Sequence, residues 1–562
     1  MKKSLAKFLE AIRNFAKYYA VFNEKVYAPL VDQPKQRKLA IFCNVLLSLY
    51  GATIITLSNF YTSGKDVVFF APILFCAVYH GLKYLLHKHG AWYIHCKKER
   101  DKLSLKTFLV ASSIPFIVCM ANLFAHYPGE ISNDTVGQWI QVQSGNFDNW
   151  HPAIHTMLIW LVTRIVPTYS FFIGFQITLF CLAIGYMYGT LQAWTIKKRW
   201  SILFLILAVV PLPTRDILLH AWKDTALTIL LMFLTVYAIN IVLSGGKWLS
   251  KWKNVLAIAV VGALATLVRH NGFFFTLPLG ILIAACYTKI TRNTLCAIAA
   301  SIVLIFGITK VLYPAAGVSQ PETQRYIESV GLPMTILSGV IVRAPEKLDN
   351  QTREFLSRIA TEEQWRASFR HGQYNSVKWT FNTSKFVEQI TPKELLKMTL
   401  RTIKRAPAIS LSEVIGLTKM VWHPGSWHYG IIGIGAVDGA TDMVYSKAEL
   451  NTLHSVITAS KTLYKFINTI VKMVIPSFVF SSIGLNMLLL LVAGVFSVNR
   501  NLGTKALILF IPSVAYNLGT MLLLSGSDYR FFHFNIVITL PLIIALLARN
   551  QEATAQSDSV KV

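Results

Sequence analysis

One polar stretch, residues 129–156, holds three carboxylates and two histidines but no lysine or arginine. It reads GEISNDTVGQWIQVQSGNFDNWHPAIHT and contains Glu130, Asp134, Asp148, His151 and His155. A carboxylate can accept the proton of an attacking hydroxyl or amine, and a histidine can donate a hydrogen bond to an anion. Long apolar segments flank the stretch, so these segments must hold the carboxylates and histidines in position.

Cationic side chains that could work with these carboxylates stand at the ends of other apolar runs. They are Arg215 and Lys223 in PLPTRDILLHAWKDTA, Arg269 with His270 in VRHNGFFF, and Arg530 in SGSDYRFFHFN. A charge at the edge of a bilayer is costly enough that function is the first interpretation. The alternative for each is a side chain that reaches out to lipid phosphate. We take Lys223, Arg269, His270 and Arg530 as candidate substrate-binding residues.

The composition of the whole chain indicates a membrane protein. Of its 562 residues, 54% are hydrophobic and 14% are charged, and the mean hydropathy is +0.49. A helical span needs about 20 apolar residues. Windows of this kind lie at 39–57, 67–86, 108–125, 170–193, 201–213, 225–243, 255–267, 272–287, 294–313, 471–498, 506–524 and 531–548. The sequence therefore predicts an all-α polytopic membrane protein with about 12 transmembrane helices.

The formal net charge of +27 could indicate a nucleic-acid partner, but the positions of the basic residues favour a topology signal. Lysine and arginine collect in residues 1–38, 87–106, 196–199, 245–254 and 497–505. All of these segments fall on one side if the predicted spans alternate in direction. We therefore expect a multi-pass plasma (inner) membrane protein with both termini cytoplasmic, the acidic stretch outside, and no nucleic-acid partner.

These predictions divide the chain into seven parts. In order, they are a cytoplasmic amphipathic segment (1–38), three transmembrane helices (39–125), an external acidic loop with an interfacial helix (126–169), transmembrane helices 4 to 9 (170–313), a mainly helical external domain (314–466), the last three transmembrane helices (467–548) and a cytoplasmic tail (549–562). The segment HPAIHTMLIWLVTRI is assigned to the interface because an additional span there would invert the charge pattern downstream.

A carboxylate that faces several cations at the outer membrane surface suits one reaction class well. This class is transfer of a sugar from a lipid-linked phosphate to an acceptor hydroxyl or amine. The leaving group is already a phosphate anion, so no general acid is needed, unlike in a glycosidase. One base takes the acceptor proton, and arginine or lysine binds the departing phosphate through charge-assisted hydrogen bonds.

Three matched positions resemble the GT-C superfamily of polytopic glycosyltransferases. That superfamily includes protein O-mannosyltransferases and lipid A aminoarabinose transferases, and this chain looks most like its poorly characterised bacterial members. The resemblance rests on Asp134 in SNDT, on His151 and Pro152 in WHPAIHT, and on Arg530 with Phe531 in DYRFFHF. It implies a GT-C-like core, a catalytic acid at Asp134, a polyprenyl-phosphate sugar donor and a cell-envelope glycan, lipid or protein as acceptor.

The chain also departs from that pattern. The better-known relatives often carry two adjacent acids in the first loop, whereas Thr135 follows Asp134 here, and Ala153 stands where a second proline is common. The single acid gives no support to a bound divalent metal. The seven cysteines show no metal-type spacing either, so the sequence predicts no certain cofactor and no metal ligands.

Within the acidic stretch, Asp134 is the predicted base, with Asp148 and Glu130 as substrate ligands. Its alternative role is to cap the helix that follows. His151 and His155 are one helical turn apart, which predicts a shared face that donates to phosphate or sugar, unless they only cap and pack. Trp139 and Trp150 could stack on a sugar or anchor the interface, and the same two options hold for the aromatic segment KMVWHPGSWHYG.

Two other functions fit the same composition. A transporter or flippase of a lipid-linked glycan would also have about 12 spans and internal cations, but its site would lie at mid-span. A glycan ligase or polymerase would share the lipid phosphate leaving group and transfer a longer chain. The sequence does not separate this second alternative from transfer of a single sugar.

Overall fold

The protein is described from a computed structural model over residues 34–59, 73–83, 85, 93–378, 380–425, 481–523 and 528–550. These residues are mostly helical. The predicted amphipathic segment in 1–38, the last part of the predicted domain 314–466 and the tail 549–562 lie wholly or largely outside the described residues.

Eight helices among the described residues are long and apolar enough to cross a membrane. They cover Gln36–Thr56, Leu105–Ala125, Tyr169–Ala193, Lys223–Leu243, Thr288–Ala315, Ile483–Arg500, Gly503–Leu523 and Tyr529–Leu547. The described chain therefore has the helices of an all-α membrane protein.

Four of the twelve predicted windows fall on shorter helices. These are Ile73–Lys83, Lys198–Val209, Trp252–Val268 and His270–Cys286. Helix Lys198–Val209 stops before Pro211 and Pro213, because proline cannot donate the next backbone hydrogen bond. Twelve spans therefore stay a prediction.

The regular elements occur in the following order. The first part has α1 (Pro34–Asn59), α2 (Ile73–Lys83), β1 (Ile94–Cys96), α3 (Leu105–Ala125), α4 (Asn133–Ser144), α5 (Ala153–Thr163), α6 (Tyr169–Ala193), α7 (Lys198–Val209), α8 (Leu212–Ile217), α9 (Lys223–Leu243), α10 (Trp252–Val268), α11 (Phe273–Cys286) and α12 (Thr291–Gly307). The rest has α13 (Glu322–Ser329), α14 (Gly331–Arg343), α15 (Asn350–Ser357), α16 (Glu362–Ser368), α17 (Tyr374–Lys378), α18 (Thr383–Gln389), α19 (Pro392–Arg405), α20 (Pro407–Trp422), α21 (Ile483–Arg500), α22 (Leu507–Leu523), α23 (Phe534–Leu547) and β2 (Ala548–Asn550).

The basic connectors meet at one end of the helix bundle, which we call the basic end and define by residues 94–101, 194–199, 246–254, 501–506 and 548–550. There β1 and β2 pair in parallel, and the Lys97 backbone N–H donates to the Trp194 carbonyl at 3.3 Å. The Asn501 side chain donates to the carbonyls of Leu546 and Ala548 at 2.9 and 2.8 Å. This grouping is the one that the charge pattern requires.

The acidic stretch lies at the opposite end, the site end, which comprises residues 126–169, 212–223, 269–273 and 528–533. Helices α3 and α6 run antiparallel, with Gly185 packed closely on Ser112 toward the basic end. Toward the site end, the Tyr169 hydroxyl donates to the Glu130 carbonyl at 2.7 Å. Both ends of the acidic stretch are therefore at the site end, so α5 does not run the length of the bundle.

A second hydrophobic core lies within residues 322–422. It is built from α13 to α19 around large buried side chains such as Phe355, Trp365 and Tyr374. Helix α20 then returns to the bundle, where Met420 and Val421 join the main core. The Ser482 hydroxyl donates to the Pro424 carbonyl at 2.7 Å, so the described part of KMVWHPGSWHYG packs against the start of α21.

Candidate functional site

Asp134 stands in the first turn of α4. Ser132 is the N-cap of that helix, since its hydroxyl accepts from the Thr135 backbone N–H. The Asp134 carboxylate is therefore not needed for capping. Its side chain is 26% exposed, and a carboxylate at this position is also stabilised by the positive end of the helix dipole.

Arg530 is the main partner of Asp134. Its Nη1 lies 2.8 Å from Asp134 Oδ2, and its Nε lies 2.8 Å from Asp528 Oδ2. The guanidinium carbon also lies 4.8 Å from the Trp222 ring centroid. Arg530 sits in the 3-10 turn Tyr529–Phe532, where Asp528 accepts the Arg530 backbone N–H at 3.1 Å. Charge pairing and the aromatic face thus fix the guanidinium in one place.

Lys223 and His151 complete the surroundings of Asp134. Lys223 begins α9, and its Nζ lies 4.0 Å from Asp134 Oδ2 and 2.7 Å from His151 Nδ1. Because the ammonium donates to Nδ1, the imidazole proton is on Nε2. The Trp222 indole N–H donates to Ser132 at 2.8 Å, which ties the start of α9 to the cap of α4.

A second charge pair lies deeper. Arg269, at the end of α10, forms an ion pair with Asp224, whose side chain is 1% exposed. Arg530 Nε is 3.8 Å from the other Asp224 oxygen. The Arg269 guanidinium also lies 4.0 Å from the Phe531 ring centroid. The two pairs form one cluster, the carboxylate–cation cluster, of Asp134, Asp224, Asp528, Lys223, Arg269 and Arg530.

The cluster sets the ionisation of the groups at its surface. Burial favours protonated Asp134, but Arg530 and Lys223 outweigh it and hold the pKa of this carboxyl well below its usual range. Burial and Lys223 lower the pKa of His151 to about 3. At neutral pH the site therefore presents an ionised carboxylate and a neutral imidazole to an incoming ligand.

Two predicted substrate ligands have different surroundings from those expected. The Asp148 carboxylate accepts from the Trp150 backbone N–H and from Gln141 Nε2, both at 2.9 Å, so it organises its own loop. His155 is fully buried, with Nδ1 3.0 Å from Gln138 Nε2. Helix α5 begins at Ala153, so His151 precedes it and the two histidines do not share a helical face. The structure thus corrects the predicted shared helical face of His151 and His155, whereas substrate contacts of Asp148 and His155 stay predictions.

Glu130 and His270 lie beside the cluster. Glu130 is next to Asp216, and burial together with that carboxylate raises the pKa of Glu130 to about 7. Its backbone N–H donates to Leu219 at 3.0 Å. His270 is exposed. Desolvation by the surrounding chain and the charges of Arg325 and Lys223 lower the pKa of His270. Glu130 therefore belongs to a separate acidic pair, whereas His270 borders the cluster.

Asp224 and Trp222 are not among the site residues predicted from the sequence. Asp224 looked like an ordinary acid in a helix first turn, and only the fold brings Arg269 to it. The available signal was the carboxylate directly after Lys223, at the start of a long and mostly apolar run. Among the described residues, no group of three His, Cys, Asp or Glu side chains is arranged to hold a metal ion.

The cluster can bind an anion through arginine and lysine and can accept a proton on Asp134. Its six members come from four separate segments, and they lie at or directly beside the site end of the bundle. No protein-family model, no curated protein and no solved structure matches this chain.

Proposed function

We propose that the protein is a membrane glycosyltransferase that moves a sugar from a polyprenyl-phosphate donor to a cell-envelope acceptor. One observation carries the proposal: a partly exposed, ionised Asp134 is held 2.8 Å from Arg530 and 4.0 Å from Lys223 at one end of an apolar helix bundle. A base beside two phosphate-binding cations is the minimum that this reaction needs.

In the proposed reaction, the acceptor hydroxyl or amine attacks the anomeric carbon while Asp134 removes its proton. The bond from that carbon to the phosphate oxygen breaks, and the electron pair leaves with the phosphate. Arg530 and Lys223 bind the phosphate oxygens and stabilise the charge that develops on them. The His151 Nε2–H is a further donor for the phosphate or the sugar.

The Asp134–Arg530 pair must open during this cycle, because an ion-paired carboxylate is a weak base. A donor phosphate that takes over Arg530 Nη1 frees Asp134 for the acceptor proton. Asp528 keeps its own contact with Nε at 2.8 Å, so the guanidinium stays in place when Asp134 leaves it. Donor binding therefore activates the base.

The membrane setting belongs to the same proposal. We place the core among GT-C-like folds with about 12 spans, both termini in the cytoplasm and the site end outside, at the plasma membrane. In this arrangement residues 314–466 form the external domain. The exposed basic connectors then contact the cytoplasm and its anionic lipid surface.

A transporter is the alternative that the helix bundle also allows. Transport needs a site near mid-span that is reached from both sides. Here the charged groups start or end helices: Lys223 begins α9 and Arg269 follows the last residue of α10. A site at the end of the bundle favours a reaction at one membrane face.

The experiment is a sugar-transfer assay with purified protein in lipid nanodiscs. Polyprenyl phosphates carrying radiolabelled glucose, galactose or mannose are supplied, and free or transferred sugar is separated from lipid. The proposal expects cleavage of at least one donor. A protein that moves intact donor lipid between leaflets in vesicles without cleaving it would be a flippase.

A further inference from the structure

Trp150 is an exposed aromatic residue next to the carboxylate–cation cluster. Its side chain is 39% exposed, and one face of the indole stacks on the His151 ring with centroids 4.9 Å apart and planes 23° apart. His151 in turn contacts Lys223 at 2.7 Å. The indole therefore lies between the cluster and solvent and has an exposed aromatic surface.

The loop that carries Trp150 is fastened on two sides. Asp148 accepts the Trp150 backbone N–H and the Gln141 side chain, and the Asp148 N–H donates to Gln141 Oε1 at 3.1 Å. On the other side, Asn149 donates from its backbone to Ser319 at 3.0 Å and from its side chain to Gln320 at 3.1 Å. Trp150 is thus exposed on a fixed backbone.

Trp139, the other tryptophan of the acidic stretch, behaves differently. It is 3% exposed and packs edge-on against Tyr169, so it is a core residue. An indole that only anchors a protein in the bilayer interface needs contact with lipid headgroups, and stacking on an imidazole of the site adds nothing to that role. The position of Trp150 instead suits a ligand.

Resting on the proposed function, we propose that Trp150 stacks on the sugar ring of the lipid-linked donor, with Asp148 as the residue that positions its loop. A pyranose ring has an apolar face of C–H groups, and a flat aromatic surface binds it while the ring edge stays polar. A donor with its phosphate on Arg530 and its anomeric carbon near Asp134 must place its sugar beside this cluster. Trp150 offers an exposed flat surface there.

The test compares two binding affinities for each variant. Undecaprenyl phosphate reports the phosphate site alone, and its glucosyl, galactosyl and mannosyl phosphodiesters report phosphate plus sugar. The wild type should bind at least one of the three more tightly than the bare lipid phosphate, by about fivefold, a typical aromatic contribution of about 1 kcal/mol. Trp150→Leu should remove this preference and leave binding of the bare lipid phosphate unchanged.

Two variants make the comparison specific. Trp150→Phe keeps a flat ring and should keep most of the preference. Trp252→Leu replaces a 69% exposed tryptophan at the basic end and should change neither affinity. The proposed stacking of Trp150 on the donor sugar is wrong if Trp150→Leu keeps the full preference. It is also wrong if the wild type prefers none of the three sugar lipids over the bare lipid phosphate.

Asp148 has its own readout. Asp148→Ala removes both loop contacts and should raise the donor KM about fivefold with kcat nearly unchanged, because the loop and not the chemistry is affected. Asp148→Asn keeps an oxygen for the Trp150 N–H and should restore most of the donor affinity. An unchanged donor KM in Asp148→Ala would overturn the positioning role.

The outcomes separate this inference from the proposed function. A wild-type protein that cleaves no sugar lipid contradicts the proposed function itself. If the enzyme is active and Trp150→Leu raises only the acceptor KM, Trp150 contacts the acceptor. That result contradicts the contact of Trp150 with the donor sugar but not the proposed function.

Discussion

The two ends of the helix bundle both carry many charged residues, but they hold them in different ways. At the basic end, Lys197, Lys198, Arg199 and Lys247 are all exposed. At the site end, the side chains of Arg530 and Lys223 are only 13% and 17% exposed and lie against carboxylates and rings. Exposed cations cost little free energy and can be replaced. Enclosed cations are costly to bury and cannot be replaced without leaving their fixed partners unpaired.

This difference separates two uses of positive charge in one membrane protein. In the proposed topology the basic end acts through the number and sidedness of its charges, which need no particular geometry. The site end uses geometry, because Arg530 must meet Asp134, Asp528 and Trp222 at once. A mutation at the site end should therefore change chemistry, and one at the basic end should not.

The largest expected effect is at Asp134, the proposed base. Asp134→Asn keeps the size of the side chain and an oxygen for Arg530 but cannot accept a proton. We expect kcat for sugar transfer to fall by about 100-fold or more, the usual contribution of a positioned base, with unchanged expression and Tm. Normal transfer by this variant would assign the base to another group.

A smaller effect is expected at Arg530, the proposed phosphate-binding cation. Arg530→Lys keeps one charge near the buried carboxylates but loses the planar fork that can hold Asp528 and a phosphate together. Donor KM should rise by about tenfold. Arg530→Ala is a poorer test because it leaves buried carboxylates without their partner.

Its matched control is Asp528→Asn, which keeps an acceptor for the Arg530 N–H and removes only the local charge. Transfer by this variant should stay within about threefold of wild type. If Asp528→Asn is as damaging as Arg530→Lys, the arginine acts mainly through its local pair and the phosphate site must lie at Lys223 or Arg269.

The acidic pair beside the cluster predicts a pH-dependent stability effect. Burial and Asp216 raise the pKa of Glu130 to about 7, so the folded protein keeps a proton that the unfolded chain has lost. Stability from this group is complete below its unfolded pKa and disappears as the pH rises through about 7.

Glu130→Gln cannot ionise, so the variant does not lose this stability as the pH rises. We expect the variant to gain roughly 2 °C in Tm over wild type at pH 8 and much less at pH 5, measured by thermal unfolding in the same nanodiscs. An equal Tm shift at pH 8 and pH 5 would mean that Glu130 is ionised at both pH values. It would contradict a raised Glu130 pKa caused by burial and Asp216.

The smallest effect is expected at the basic end. Lys197 and Lys198 are exposed and far from the cluster, so Lys197→Gln combined with Lys198→Gln should change kcat and donor KM by less than about twofold. A large loss of transfer in correctly inserted protein would show that the two ends are coupled, and the contrast between them would fail.

The sequence was sufficient for the helices and for part of the site. Apolar runs are local signals, so the described part of each predicted window falls mainly on a helix, although four of the helices are short. Lys223 and Arg530 were selected because charges beside apolar runs are unusual, and Asp134 because its position matches the GT-C resemblance. The structure brings all three together.

What the sequence could not supply depends on loop geometry and distant contacts. The hydrogen bonds of Asp148 to Gln141 and Trp150 could not be predicted, because they form only when the loop folds back. His155 looked paired with His151 because one turn of helix was assumed, whereas α5 begins at Ala153. The partnership of Asp224 with Arg269 joins two helices that sequence spacing does not relate.

The most direct measurement is an electron cryomicroscopy structure of the protein in nanodiscs with undecaprenyl phosphate. We expect phosphate density within hydrogen-bond distance of Arg530 and Lys223. The Asp134–Arg530 contact, which is 2.8 Å here, should be open. Phosphate density at mid-span, or at the basic end with the Asp134–Arg530 pair still closed, would contradict it.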